Sequence, residues 1–174
     1  MRALRLNRAI DSDTRPLAAT HSVWRASSRT LGRRKPIGVN LVIKSVGGAP
    51  VLPKHRLSCH CGAVVLELDL PDGIVDPRRC DCSICRRKGA IVASVPLSGI
   101  KVIQGAEVLK LYQFNTRVAK HYFCSNCGIY THHQRRSFPG QYGYNVGCLE
   151  GINPYLLPEV QVNDGINHPA DRKG

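Results

Sequence analysis

Three stretches decide how this chain is read: Cys59-His60-Cys61-Gly62, Arg79-Cys80-Asp81-Cys82-Ser83-Ile84-Cys85-Arg86-Arg87 and Cys124-Ser125-Asn126-Cys127-Gly128. With Cys148 they hold all 8 cysteines of the 174 residues. Two cysteines one or two residues apart, followed by glycine, form a tight knuckle that points both sulfurs at one ion. Gly62 and Gly128 stand where a positive φ or a close backbone approach is useful. A thiolate-only shell selects zinc or an iron–sulfur cluster, and zinc is expected. A disulfide framework is the competing use of eight cysteines. It suits small secreted domains, whereas Arg2, Arg5, Arg8 and Arg15 interrupt any apolar export segment at this N-terminus.

The cysteines divide into two sets. The knuckles Cys59/Cys61 and Cys124/Cys127 complete a closed four-thiolate tetrahedron, the pattern of a structural zinc. Cys80, Cys82 and Cys85 supply three donors within six residues. Three protein donors leave one tetrahedral position open, the pattern of a catalytic zinc. Two zinc ions per chain are therefore expected. Cys148 is either a fourth donor to the second ion or a buried strand residue.

Outward from the cysteines the chain reads as mainly β. Ala63 to Leu70 is strand-like and ends at Pro71-Asp72-Gly73, a turn signal. Further strands are expected over 90–95, 120–123, 129–133 and 143–149. Ile100 to Ile103 and Val108 to Phe114 read as the two arms of a hairpin with a longer loop between them. A short helix is expected at Ser83 to Lys88. No apolar run approaches the roughly 18 residues needed to span a bilayer, so no membrane partner is expected, and the location expected is cytoplasmic.

The net charge of +13 is unevenly placed: residues 1–56 carry +10 of it, with one aromatic residue and no cysteine. Such a segment buries too little apolar surface to offset its ordering entropy. Residues 1–56 are thus expected to be a disordered basic extension, and residues 57–174 the zinc-binding domain. A transit peptide, a nucleic-acid arm and a misassigned start are other readings of the extension. Nucleic acid is expected, if at all, only as a contact of this tail.

Arg78, Arg79, Arg86, Arg87 and Lys88 flank the three-cysteine cluster. They either offset thiolate charge in solvent or attract an anionic substrate to the open position. A thiol that is also a carboxylate would suit both features, with Arg86, Arg87 and Lys88 as its carboxylate partners. His121, His132 and His133 are more readily strand histidines than ligands, and His60 is expected to point away from its neighbouring sulfurs. Asn115, Thr116 and Asn145 fall at strand ends where polar groups can line a pocket. No catalytic acid or base stands out.

These stretches, with Tyr112-Gln113-Phe114-Asn115-Thr116 and Tyr144-Asn145-Val146-Gly147-Cys148-Leu149-Glu150-Gly151, resemble the glutathione-dependent formaldehyde-activating enzyme family, which includes centromere protein V. The resemblance spans about residues 57–168. It implies a β-tent fold of antiparallel sheets around a structural zinc at Cys59, Cys61, Cys124 and Cys127. It implies a second zinc at Cys80, Cys82 and Cys85. The implied activity is that of a carbon–sulfur lyase joining glutathione to formaldehyde as S-hydroxymethylglutathione. A non-catalytic zinc module for macromolecular interaction, aided by the basic tail, is the alternative.

Overall fold

The computed structural model describes residues 41–168; the expectations for residues 1–40 and 169–174 lie outside them. The chain enters through three two-residue strands, β1 (Val42–Ile43), β2 (Ser45–Val46) and β3 (Ala49–Pro50), and then β4 (Lys54–Ser58). This corrects the boundary drawn at residue 56, which falls inside β4. The reason is burial: Ile43, Val46 and Val51 join the core, and His55 and Leu57 alternate inward from Lys54 and Arg56. A buried histidine hides that alternation in the sequence. His55 is accommodated because its Nδ1 accepts from the Leu52 amide at 3.0 Å and its Nε2 meets the Glu150 carbonyl at 2.9 Å.

There follow β5 (Val65–Asp69), β6 (Ile74–Val75), β7 (Arg78–Cys80), helix α1 (Cys85–Lys88), β8 (Val92–Pro96) and β9 (Ile100–Gln104). The chain continues through β10 (Leu109–Tyr112), β11 (Lys120–Cys124), β12 (Tyr130–Gln134), β13 (Gln141–Asn145) and β14 (Gln161–Asn163). The larger sheet has the order β10-β11-β12-β13-β8-β7-β14 and the smaller β4-β5-β9, while β1-β6 and β2-β3 form two minor pairs. The fold is mainly β and antiparallel, as expected; among the described residues β14 alone runs parallel to its neighbour, β7.

The core fills the space between the two main sheets. Leu57, Leu66 and Leu68 from the smaller sheet meet Ala93, Val95 and Tyr144 from the larger. Two local expectations change. β9 and β10 do not form a hairpin: β9 pairs with β5, and β10 with β11. The segment between them crosses from one sheet to the other. The last expected strand stops at Asn145, and Val146–Cys148 turns into a 3-10 helix. Cys148 is buried, but in that turn rather than in a strand.

Candidate metal centres and the cavity beside them

The first knuckle leaves the end of β4 and the second leaves the end of β11, one from each main sheet. Each is closed by backbone hydrogen bonds. Gly62 N–H donates to the Cys59 carbonyl at 3.0 Å, and Gly128 N–H to that of Cys124 at 2.8 Å. Both glycines have positive φ, 74° and 73°. The four sulfurs of Cys59, Cys61, Cys124 and Cys127 lie within 4.8 Å of one another. Cys59 and Cys61 are 3.6 Å apart at sulfur, and Cys61 and Cys124 3.8 Å. A zinc tetrahedron with bonds of about 2.3 Å requires sulfurs about 3.8 Å apart, whereas a disulfide requires about 2.05 Å. The donor set therefore fits a metal. The Val64 amide also donates to Cys59 Sγ at 3.3 Å, support suited to a thiolate.

Cys148 belongs behind this first set. Burial pushes its thiol up to about 12, and Cys59 and Cys127 push in the same direction. Its Sγ contacts the Tyr130 carbonyl at 3.7 Å. It is not among the sulfurs that cluster with Cys80, Cys82 and Cys85.

The second set is built from β7 and α1. Cys80 ends the strand, Cys82 lies in the turn and Cys85 opens the helix; their sulfurs also lie within 4.8 Å of one another. Hydrogen bonds from Cys80 and Cys85 hold the Cys82 thiol far below the ordinary thiol range, and Cys80 and Cys82 push Cys85 far above it. The three thiols are thus coupled through one another, and a metal binding there would displace their protons. The segment after β14 closes the far side. A Cβ on Gly165 would stand 2.4 Å from Cys80 Sγ and 2.6 Å from Cys82 Cβ, so only glycine fits this wall. Asp81 fixes that segment by accepting from the Gly165 amide at 2.6 Å and the Ile166 amide at 3.1 Å.

The three cysteines open onto a cavity of about 470 Å³. Of the three cations expected to bind substrate, Arg86 lines it; Arg87 and Lys88 do not. Successive residues on a helix point about 100° apart, so a run of three cannot face one cavity. The Arg87 guanidinium donates to the Ser83 carbonyl at 2.5 Å. Lys88 lies on the opposite flank, with Nζ 3.6 Å from the centre of the Tyr130 ring.

The cavity also gathers residues that local sequence does not mark. Arg135 and Arg136 reach it from beyond β12, and Arg79 from β7. Arg135 donates to Gln141 Oε1 at 2.5 Å, and burial lowers its guanidinium to about 10. Arg78, also in the wall, is committed to the Asp76 carbonyl and to Ser94 Oγ. Asn115 and Thr116 line the cavity; Asn145 instead caps the turn before Cys148 and donates to the Tyr130 carbonyl at 2.9 Å. His121 and His133 line it as well, while His132 stacks on Tyr122 with ring centroids 4.5 Å apart. His60 is exposed.

A metal-content experiment follows from the unequal donor sets. Protein purified in zinc should carry two ions per chain, and Cys82→Ser should carry one with the fold intact. The three-cysteine ion should be the first lost to a chelator, because only three protein donors hold it. Wild-type protein with one tightly held ion and no second site would contradict the assignment.

The family described as glutathione-dependent formaldehyde-activating enzyme matches residues 54–163, from the first residue of β4 to the last of β14. A protein of Emericella nidulans named putative glutathione-dependent formaldehyde-activating enzyme is 32% identical over 87 residues, covering 48% of this chain and 44% of the relative. One of the same name from Talaromyces marneffei is 25% identical over 100 residues, covering 53% of each chain. This chain thus spans about half the length of these curated relatives. A crystal structure of a Rhodobacter sphaeroides protein is 60% identical, with a TM-score of 0.60, and covers 62% of this chain and 99% of its own. With both cysteine sets inside the matched segment, the chain belongs to the glutathione-dependent formaldehyde-activating enzyme family.

Proposed function

We propose that this chain is a zinc-dependent carbon–sulfur lyase that joins glutathione, or a similar small thiol carboxylate, to formaldehyde or a related aldehyde. One observation carries the reading. A three-cysteine cluster with room for one more donor and the guanidinium of Arg86 share a cavity of about 470 Å³, a volume in the range of small-molecule sites. The names of the fungal relatives support the choice of thiol and aldehyde.

Cys80, Cys82 and Cys85 would hold the zinc. When bound, it would supply a Lewis acid that keeps a substrate thiol ionised at neutral pH. The chain's own groups bind and orient. Arg86 takes a glutathione carboxylate, and the remaining arginines of the wall keep the cavity positive toward a dianion. In the reaction the sulfur lone pair attacks the aldehyde carbon, a carbon–sulfur bond forms and the carbonyl π bond breaks. The oxygen takes up one proton, equivalent to the one the thiol gave up, so the sum is balanced without a further reactant.

Calorimetric titration tests this reading. Glutathione should bind the zinc-loaded chain and S-methyl glutathione should not. Losing a charge-assisted, bidentate partner costs about 1.5–3 kcal/mol, so Arg86→Ala should weaken binding about 10- to 150-fold. Arg87→Ala should change it less than about threefold, the small effect expected of an exposed cation. Equal binding of the two thiol forms would refute sulfur ligation, and an unaffected Arg86→Ala would refute the carboxylate contact.

A further inference from the structure

Three adjacent strands place Tyr112, His121 and His133 abreast: Tyr112 of β10 faces His121 of β11, which faces His133 of β12. The His121 ring is packed between Phe114, at 5.8 Å between centroids, and His133, at 5.2 Å, both nearly parallel to it. It is buried, yet it lines the cavity of the three cysteines on one side and a smaller cleft of about 240 Å³ containing Lys88 on the other. Lys88 Nζ lies 3.0 Å from His121 Nδ1.

The ammonium has hydrogens and no acceptor, so it donates and Nδ1 accepts. The single imidazole hydrogen then sits on Nε2. Among the described residues no protein group pairs with that nitrogen. No carboxylate pairs with Lys88 among them either, so His121 and the Tyr130 ring are its polar partners. Burial, followed by the Lys88 charge, lowers the His121 imidazole to about 4, so the ring is neutral at physiological pH. Lys88 itself is lowered by burial to about 8 and still carries its charge there.

We infer that His121 is a catalytic hydrogen-bond donor to the substrate's carbonyl oxygen through Nε2–H, and that Lys88 is the positioning residue that fixes this tautomer. The inference rests on the proposed carbon–sulfur chemistry. Negative charge grows on the aldehyde oxygen as the carbon–sulfur bond forms. A neutral, already oriented N–H stabilises it there without giving up its proton. The aromatic stack holds the ring in place, and Lys88 stands outside the reacting cavity where it cannot form an adduct with the bound aldehyde.

The test uses the zinc-loaded full chain and two readouts. Long-range proton–nitrogen NMR, with no substrate present, should show His121 as the Nε2–H form in wild type and a mixture of tautomers in Lys88→Met. Exchange of labelled formaldehyde into the glutathione adduct should fall about 100-fold in His121→Ala, the loss typical of one such donor, while glutathione affinity stays within twofold. Lys88→Met should slow exchange about 10-fold. His121→Gln, whose amide donates without a tautomer, should recover part of the rate and make Lys88→Met nearly silent. An Nδ1–H form in wild type, or full exchange in His121→Ala, would overturn the inference while leaving glutathione binding as evidence for the proposed function. A wild-type chain that binds glutathione but accelerates no exchange would overturn both.

Discussion

Cys59→Ser is expected to abolish the cooperative fold. Cys59 is buried at the end of β4 and Cys124 at the end of β11, so the four-sulfur set ties the smaller sheet to the larger one across a sequence separation of 63 between Cys61 and Cys124. A structural zinc site contributes on the order of 10 kcal/mol, and that binding energy is folding energy. A domain of this size has a net stability of about 5–15 kcal/mol in total. Weakening the site therefore removes a large part of what keeps the sheets together. The expected signs are loss of near-ultraviolet dichroism, loss of a cooperative melt and less than one zinc per chain. Cys82→Ser, which touches the other set, should keep a cooperative melt, lowered only by the loss of its own ion. A soluble Cys59→Ser protein with two ions and a normal melt would remove the first set from the structural role assigned to it.

What was legible in the sequence was local. The knuckles, their glycines and the division into four and three sulfurs depend on spacings of one to three residues, and the structure brings together the same two groups. Strands that alternate over several residues were legible too. What was not legible depends on partners far along the chain. The Gly165 wall reaches Cys80 because β14 lies beside β7 in a parallel pairing, a register that no nearby turn signals. Arg135 joins the cavity from just beyond β12, a strand three places from β7 in the sheet order, so nothing adjacent to the cysteines announces it. The run Arg86-Arg87-Lys88 misled in the opposite way. Its composition suggested one clamp, whereas helical rotation sends the three side chains to three places. His121 reads as a strand histidine, and it is one; the sequence lacks the information that Lys88 approaches its Nδ1.

Gly105 lies where the crossing from β9 to β10 passes the first metal set, and Gly105→Val should be severely destabilising. Gln104-Gly105-Ala106-Glu107 has the composition of a hairpin loop, but it carries the chain from β9 in one sheet to β10 in the other. Gly105 has φ +79°, and a Cβ there would stand 2.0 Å from the Ala63 carbonyl oxygen, next to the first knuckle. Three residues on, the Val108 carbonyl accepts from the Ser125 amide inside the second knuckle at 2.8 Å. The crossing segment thus sets the spacing of both knuckles. A β-branched residue would meet a backbone atom that cannot swing aside and would be forced into left-handed φ, a strain of about 1–3 kcal/mol before any clash. With the clash added, a loss of about 4 kcal/mol is expected, which lowers Tm by on the order of 10–20 °C. Gly151→Ala separates the two causes, since Gly151 has φ +74° and a Cβ there would meet nothing within 4 Å. It should cost only about 1–2 kcal/mol, the left-handed penalty alone. If Gly105→Val melts no lower than Gly151→Ala, the crossing segment does not hold the knuckles in register. If it melts far lower and also gives up its tightly held zinc first on heating, the two sheets and the metal that joins them depend on this one glycine.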